Sequence, residues 1–207
     1  MLYNTCYHSE VKAVPPRSKV SRDMVIHAAF EIIRQLGVDS VNVRRVAEKL
    51  HCSTQPVMYQ FPTMEELKKA TFAYTDTFHT RYIMDVEGAV EGAGSTLAQI
   101  GLQYIRFAHE EPQLFRFLFQ SDYHTDTNIF DVVDTPAFSA LMQSVQRVTG
   151  LSPQQSKSVF TIVFFFVHGY ASLVANNAFP FEEDEIKAQL VKAFTGATRA
   201  QREETSC

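Results

Sequence analysis

The chain has 207 residues, 45% of them hydrophobic and 20% charged, with three cysteines and a net charge of −4. This is the composition of an ordinary globular protein long enough to bury a core, which excludes a disordered or fibrous chain. The cysteines (Cys6, Cys52 and Cys207) are odd in number and widely scattered, so they exclude a disulfide framework and a metal spacing and point to a reducing cytoplasm.

Residues 1–19 read as a flexible basic arm. Pro15 and Pro16 oppose helix there, and Arg17, Lys19 and Arg22 cluster at its end. The first ten residues lack a basic start followed by an apolar run, so no cleavable signal peptide is expected. From Ser21 the chain reads as helix after helix, without strand alternation. The first predicted helix spans Ser21–Leu36, capped by Ser21 and stopped by Gly37. A short helix follows near Val43–Leu50, with Asn42 as its cap. Another follows Ser53, with Pro56 in its first turn, where a missing N–H costs nothing. The fourth starts at Thr63, where Glu66 completes a capping-box pattern. Its predicted apolar stripe is Leu67, Ala70, Tyr74 and Phe78.

Longer helices are expected beyond residue 70. Leu97, Ile100, Tyr104 and Phe107 mark one, and Pro112 opens another carrying Leu114, Phe115, Leu118 and Phe119. Residues 122–135 are polar and read as a loop. Pro136 to Val148 is a further helix. Ser152 and Pro153 open a long apolar helix ending near Asn177. Glu182, Asp184 and Glu185 crowd the first turn of the last one, where they complement the helix dipole. The stretch from Val159 to Ala175 is uncharged but holds Thr, His, Gly, Tyr and Ser. It reads as a buried helix rather than a membrane span, and no membrane partner is expected.

Two short helices joined by a tight turn, between two longer ones, form the helix-turn-helix plan. On the second short helix Val57 and Phe61 face inward at i and i+4. Thr54, Gln55, Tyr59 and Gln60 are free to face out. Gln pairs with adenine edges in the major groove, and Thr or Pro touches a thymine methyl. Arg44 and Arg45 open the preceding helix, where guanidinium groups reach guanine or phosphate.

Residues 22–69 resemble the DNA-binding head of the tetracycline-repressor (TetR) family. The likeness runs through Arg22, Ile26, Ala28-Ala29 and Gly37, then Asn42 to Ala47, Leu50 to Pro56 and Phe61 to Leu67. Tyr104 to Ala108, Pro112 to Phe119 and Phe166 to Leu173 resemble a carboxy-terminal domain type of the same family. The resemblance implies an all-α fold of about nine helices: a three-helix head at 20–69 and a larger ligand-binding and dimerisation domain at 70–207. It implies base contacts from Arg44, Thr54, Gln55 and Pro56. Tyr59 and Gln60 would lie on the phosphate side. Arg22, Arg45 and Ser53 complete the expected DNA face. Three positions depart from the family pattern. His51 stands where Gly is usual in the turn, Met58 where a Tyr is usual, and Met64 where a Lys is usual. The last two remove phosphate contacts.

Charge distribution agrees with a nucleic-acid head. Residues 1–69 hold ten Lys/Arg against seven Asp/Glu, and residues 70–207 hold nine against sixteen. The head is therefore net basic and the body net acidic, and phosphate attraction is local to a docking face. The expected partners are double-stranded DNA with a palindromic operator, a second copy through the last two helices, and a small-molecule effector.

Seventeen Phe fit a well-filled core, an apolar pocket in the body, or both. The residues expected to line such a pocket are Tyr104, Phe107, Phe115, Phe119, Phe138, Phe165 and His168. No metal, cofactor or catalytic residue is expected. His109, Glu110 and Glu111 are consecutive on a helix, point different ways and read as a solvated face. No Gly-rich phosphate loop, HExxH run or GxSxG elbow is present. The reading is a cytoplasmic ligand-responsive regulator, a repressor released by an apolar or aromatic ligand. The alternative is a helical ligand carrier or interaction protein whose head is structural.

Overall fold

The computed structural model describes residues 20–85, 93–123 and 136–204. Every α or 3-10 element among them is helical, and none is a strand. The arm at 1–19 and most of the expected loop at 122–135 lie outside the described residues.

The head begins with α1 (Arg22–Leu36). The Ser21 hydroxyl accepts from the Met24 N–H at 3.2 Å, as the cap expectation requires. Gly37 ends the helix with φ at 83°, a conformation that favours glycine. One 3-10 turn (Val38–Ser40) leads to α2 (Val43–Lys49), capped by the Asn42 side chain on the Arg45 N–H at 3.0 Å. The turn into α3 (Thr54–Gln60) passes through His51 at φ 51°. Left-handed backbone at a residue with a Cβ costs energy that glycine avoids. His51→Gly is therefore expected to raise head stability by about 0.5–1 kcal/mol, net of glycine's extra chain entropy. Chemical denaturation of the two proteins checks it. An unchanged midpoint would mean that the turn carries no strain.

Ser53 stands at the start of α3 with extended backbone, but its side chain makes no cap hydrogen bond. The head core is Val25, Ala28, Ala29, Phe30, Ile32 and Ile33 of α1 against Val46, Ala47, Val57, Phe61 and Leu67. Leu36 is exposed at the end of its helix.

Helix α4 (Met64–Met84) runs from the head into the body. Thr63 caps it through the Glu66 N–H at 3.2 Å. Its buried stripe is Leu67, Thr71, Thr75, His79 and Ile83, one residue out of register with the aromatic stripe expected. Tyr74 is exposed. The threonines can occupy the inner face because each satisfies its hydroxyl on its own helix. Thr71 donates to the Leu67 carbonyl and Thr75 to the Thr71 carbonyl, both at 2.8 Å.

The body continues with α5 (Ala93–Glu110), α6 (Pro112–Phe119), α7 (Pro136–Thr149), α8 (Pro153–Ala175) and α9 (Glu183–Glu204). Helices α5, α8 and α9 pack together as its centre. Gly101 marks their closest crossing, where a Cβ would meet Val167 at 3.1 Å and Leu190 at 3.2 Å. Ser152 and Gln155 form a full capping box at the start of α8. That helix has a mean hydropathy of 1.8 over 18 residues, long and apolar enough by length and composition to cross a membrane. Its inner face, from Val159 and Phe160 through Val163, Val167 and Ala171 to Val174, is buried within the fold. Its outer face exposes Ile162, Phe165 and Leu173, and Val191 is exposed on α9.

Candidate nucleic-acid interface and aromatic body cluster

The outward face of the head is built by α3. Ser53, Thr54, Gln55, Met58 and Tyr59 are exposed, and Tyr59 is 84% open to solvent. Pro56 is half-buried in the first turn. Arg44 and Arg45 are exposed at the start of α2, and Arg45 Nη1 donates to the Ser40 carbonyl at 3.3 Å. Eight expected DNA-face residues (Arg44, Arg45, Ser53, Thr54, Gln55, Tyr59, Gln60 and Arg22) thus have exposed or half-exposed side chains, with Pro56 between them. No charge lies on α3 itself.

Two of the expected residues have structural work of their own. Gln60 Nε2 donates to the Val20 carbonyl at 2.9 Å. Arg22 Nη1 donates to the Gln60 carbonyl at 3.0 Å, and its guanidinium lies 3.9 Å from the centre of the Phe61 ring. Together they pin the chain before α1 to the end of α3. That use competes with the direct phosphate contact expected of them. Met58 sits on the exposed face, where it offers no hydrogen bond. Cys52 is a free, half-buried thiol packed against the head core, in keeping with a packing role.

The body holds a dense aromatic cluster. The Tyr104 hydroxyl and His168 Nδ1 are hydrogen-bonded at 2.9 Å. Phe115 and Phe119 contact both rings, with centroids 5.6 to 5.9 Å apart, and each other at 4.9 Å. Phe107 is fully buried and joins the cluster through the His79 ring, 4.8 Å away. Burial pushes the Tyr104 hydroxyl well above the ordinary phenol range. Five of the seven pocket residues named from sequence therefore come together. Phe165 does not belong with them: its side chain is 56% exposed on the outer face of α8. Phe138 is on α7, and its side chain lies outside the described residues.

Sequence reasoning missed His79. It lies on the inner stripe of α4 and is 6% exposed. Its ring meets Phe107 at 4.8 Å, Tyr104 at 5.2 Å and Phe119 at 5.3 Å. Desolvation by burial lowers its pKa to about 3, so the ring is neutral near pH 7. The signal that could have found it is the four-residue repeat Leu67, Thr71, Thr75, His79, Ile83.

The expectation of a solvated His109-Glu110-Glu111 face holds for His109 and Glu110, which are exposed, and needs correction at Glu111. Glu111 is 8% exposed and forms a two-pronged pair with Arg34 of α1. Arg34 Nε donates to Glu111 Oε2 at 2.8 Å, and Arg34 Nη2 donates to Oε1. The hydrogen bond to Glu111 raises the Arg34 pKa further. Glu110 accepts from the Tyr82 hydroxyl at 2.6 Å, and His109 stacks on Phe181 at 4.8 Å. Each of the three polar groups has a separate packing partner because the α5–α6 corner is where head and body meet. No cluster of metal-ligating side chains occurs among the described residues.

Aromatic contacts run from the head to the body cluster. Phe30 of α1 meets Tyr74 at 5.1 Å and Phe78 at 5.2 Å, and Phe78 meets Phe107 at 6.3 Å. Residues 97–194 match the family of tetracyclin repressor-like C-terminal domains. The body from α5 into α9 therefore carries this domain type. The fold agrees over nearly the whole chain. A tetR-family transcriptional regulator from Streptomyces coelicolor superposes with a TM-score of 0.65 at 16% identity, covering 88% of this chain and 82% of its own. A second TetR from Streptomyces coelicolor gives 0.63 at 17% identity, covering 87% and 98%. A TetR variant from Acinetobacter baumannii AYE, solved in complex with minocycline, gives 0.54 at 18% identity, covering 89% and 98%. No curated protein matches the chain in sequence.

Proposed function

We propose that the chain is a cytoplasmic, ligand-responsive repressor that binds a palindromic operator as a homodimer. The observation that carries this reading is the exposed polar face of α3, Ser53 to Gln55 and Tyr59, set beside Arg44 and Arg45 on a packed head. Thr54, Gln55 and Pro56 meet base edges in the major groove, Arg44 reads a base, and Arg45 and Tyr59 take phosphate. Arg22 and Gln60 act first as the clamp that sets the angle of α3. The proposed boundaries are an arm at 1–19, the head at 20–69 and the body at 70–207.

The body supplies the dimer and the switch. The exposed apolar faces of α8 and α9 pair with those of a second copy, and two-fold symmetry in the protein requires two-fold symmetry in the operator. The minocycline complex of the Acinetobacter relative supports a small-molecule site in the body. Tyr104, Phe107, Phe115, Phe119 and His168 line it. The ligand favours a conformation whose heads are wrongly spaced, and release follows from that difference in affinity.

Fluorescence anisotropy with DNA from upstream of the chain's own gene tests the reading. Arg44→Ala is expected to weaken operator binding by about 1–3 kcal/mol and to relax preference at one base position. The wild type should also lose affinity steeply as salt rises, because phosphate contacts release counterions. Equal binding of operator and scrambled DNA by wild type and variant would remove the assignment. Absence of binding to a genomic selection pool would favour a carrier with a structural head.

A further inference from the structure

The body of the proposed repressor contains one buried polar atom with no partner inside its aromatic cluster. His79 Nε2 makes no hydrogen bond, although the residue is 6% exposed. Leaving such a nitrogen unpaired costs about 1–3 kcal/mol, and native proteins pair nearly all of them. The nearby Tyr104 hydroxyl, by contrast, is taken by His168 at 2.9 Å. The His79 ring is approached edge-on from three sides by Tyr104, Phe107 and Phe119. Two of these are buried walls, while Phe119, the last residue of α6, is half-buried at the rim with Phe164. Phe119 is thus the least buried of the three, and its displacement would open a slot above His79.

We propose that the effector is an uncharged aromatic molecule bearing a hydroxyl group, its ring replacing the Phe119 side chain against Tyr104 and Phe107 and its hydroxyl bonded to His79 Nε2. This rests on the reading of the body as a small-molecule site. The aromatic part follows from edge-on and offset ring geometry, which an aromatic guest reproduces. The hydroxyl follows from the orphaned nitrogen. A hydroxyl both donates and accepts, so it satisfies His79 in either neutral tautomer. The absence of charge follows from the walls: Tyr104, Phe107, Phe115 and Phe164 offer no counter-ion, and an unpaired ion there is costly. His79 lies on α4, the helix that continues into the head, so the guest touches the element that must move.

The test uses the full chain and two probes of similar size, 2-naphthol and 2-methylnaphthalene. Calorimetric or fluorescence titration of the wild type is expected to give at least about tenfold tighter binding of 2-naphthol, the size of one recovered hydrogen bond. His79→Phe should bring the ratio close to one, while Tyr74→Phe, on the exposed side of the same helix and outside the cluster, should keep it. Nitrogen-15 NMR of the wild-type imidazoles covers the case in which His79→Phe fails to fold. The His79 Nε2 resonance should shift with 2-naphthol and hold still with 2-methylnaphthalene. Equal affinities, a ratio retained in folded His79→Phe, or an unmoved Nε2 resonance would overturn His79 as the anchor while leaving a body pocket in place. Failure of both probes to bind would overturn the ligand class. Operator binding, measured without any probe, reports separately on the regulator reading.

Discussion

Phe165→Asp is expected to turn the proposed dimer into a monomer and to lower operator affinity by a factor of about one hundred or more. Phe165 lies in the middle of the exposed face of α8, between Ile162 and Leu173, and Val191 is exposed on α9. Gly169 and Gly196 have open space where a Cβ would stand, which lets a second pair of helices approach closely. A large apolar patch of this kind is costly in water and marks an association surface. Aspartate at the centre of a two-fold interface places two carboxylates in a desolvated site, each without a partner. Each monomer then holds a single half-site, and the effective concentration that linked the second head to its DNA is lost. Sedimentation velocity reads the mass and anisotropy reads the affinity. Circular dichroism should stay close to wild type because Phe165 is already exposed. A variant that remains a dimer would place the association surface elsewhere.

Phe61→Ala is expected to cost about 3–5 kcal/mol, and to take it from the head alone. Phe61 is fully buried at the end of α3. It supports the Arg22 guanidinium and ends the helix whose Gln60 holds Val20. A head of some fifty residues has little stability to spare, since small domains bury a smaller share of their surface. The variant should therefore unfold in two steps, with α1 to α3 lost first and the body retained. Hydrogen exchange should show protection lost across Val25–Ile33 and Val43–Lys49 while α5, α8 and α9 keep theirs. One cooperative transition at an unchanged midpoint would mean that the body holds the head together through α4.

Much of the fold was legible because caps and stops are local chemistry. Ser21, Gly37, Asn42 and Thr63 each do in the structure what their side chains or backbones dictate within a few residues. The helix-turn-helix face was legible for the same reason, since Thr54 and Gln55 alternate with Val57 and Phe61 at helical spacing. What escaped depends on distant partners. The inner stripe of α4 is polar, and threonines that bond their own helix look like surface residues in a sequence. His79 went with them. Glu111 looked solvated because Arg34 lies 77 positions away. Phe165 looked like pocket because the hydrophobic signal of α8 does not say which of its faces meets its own subunit.

The Arg34–Glu111 pair has a consequence for tuning. It ties the end of α1 to the residue that opens α6, so any shift of α6 either carries α1 with it or strips a buried carboxylate of its guanidinium. Stripping costs about 1–3 kcal/mol, toward the lower end here because Arg34 keeps part of its contact with water. Coupling free energies between distant sites in proteins fall in the same range. One ion pair is thus large enough to set the dose at which the proposed effector is felt on the DNA. Mutations at this joint could move the induction threshold while leaving both the sensing chemistry and the operator sequence as they are.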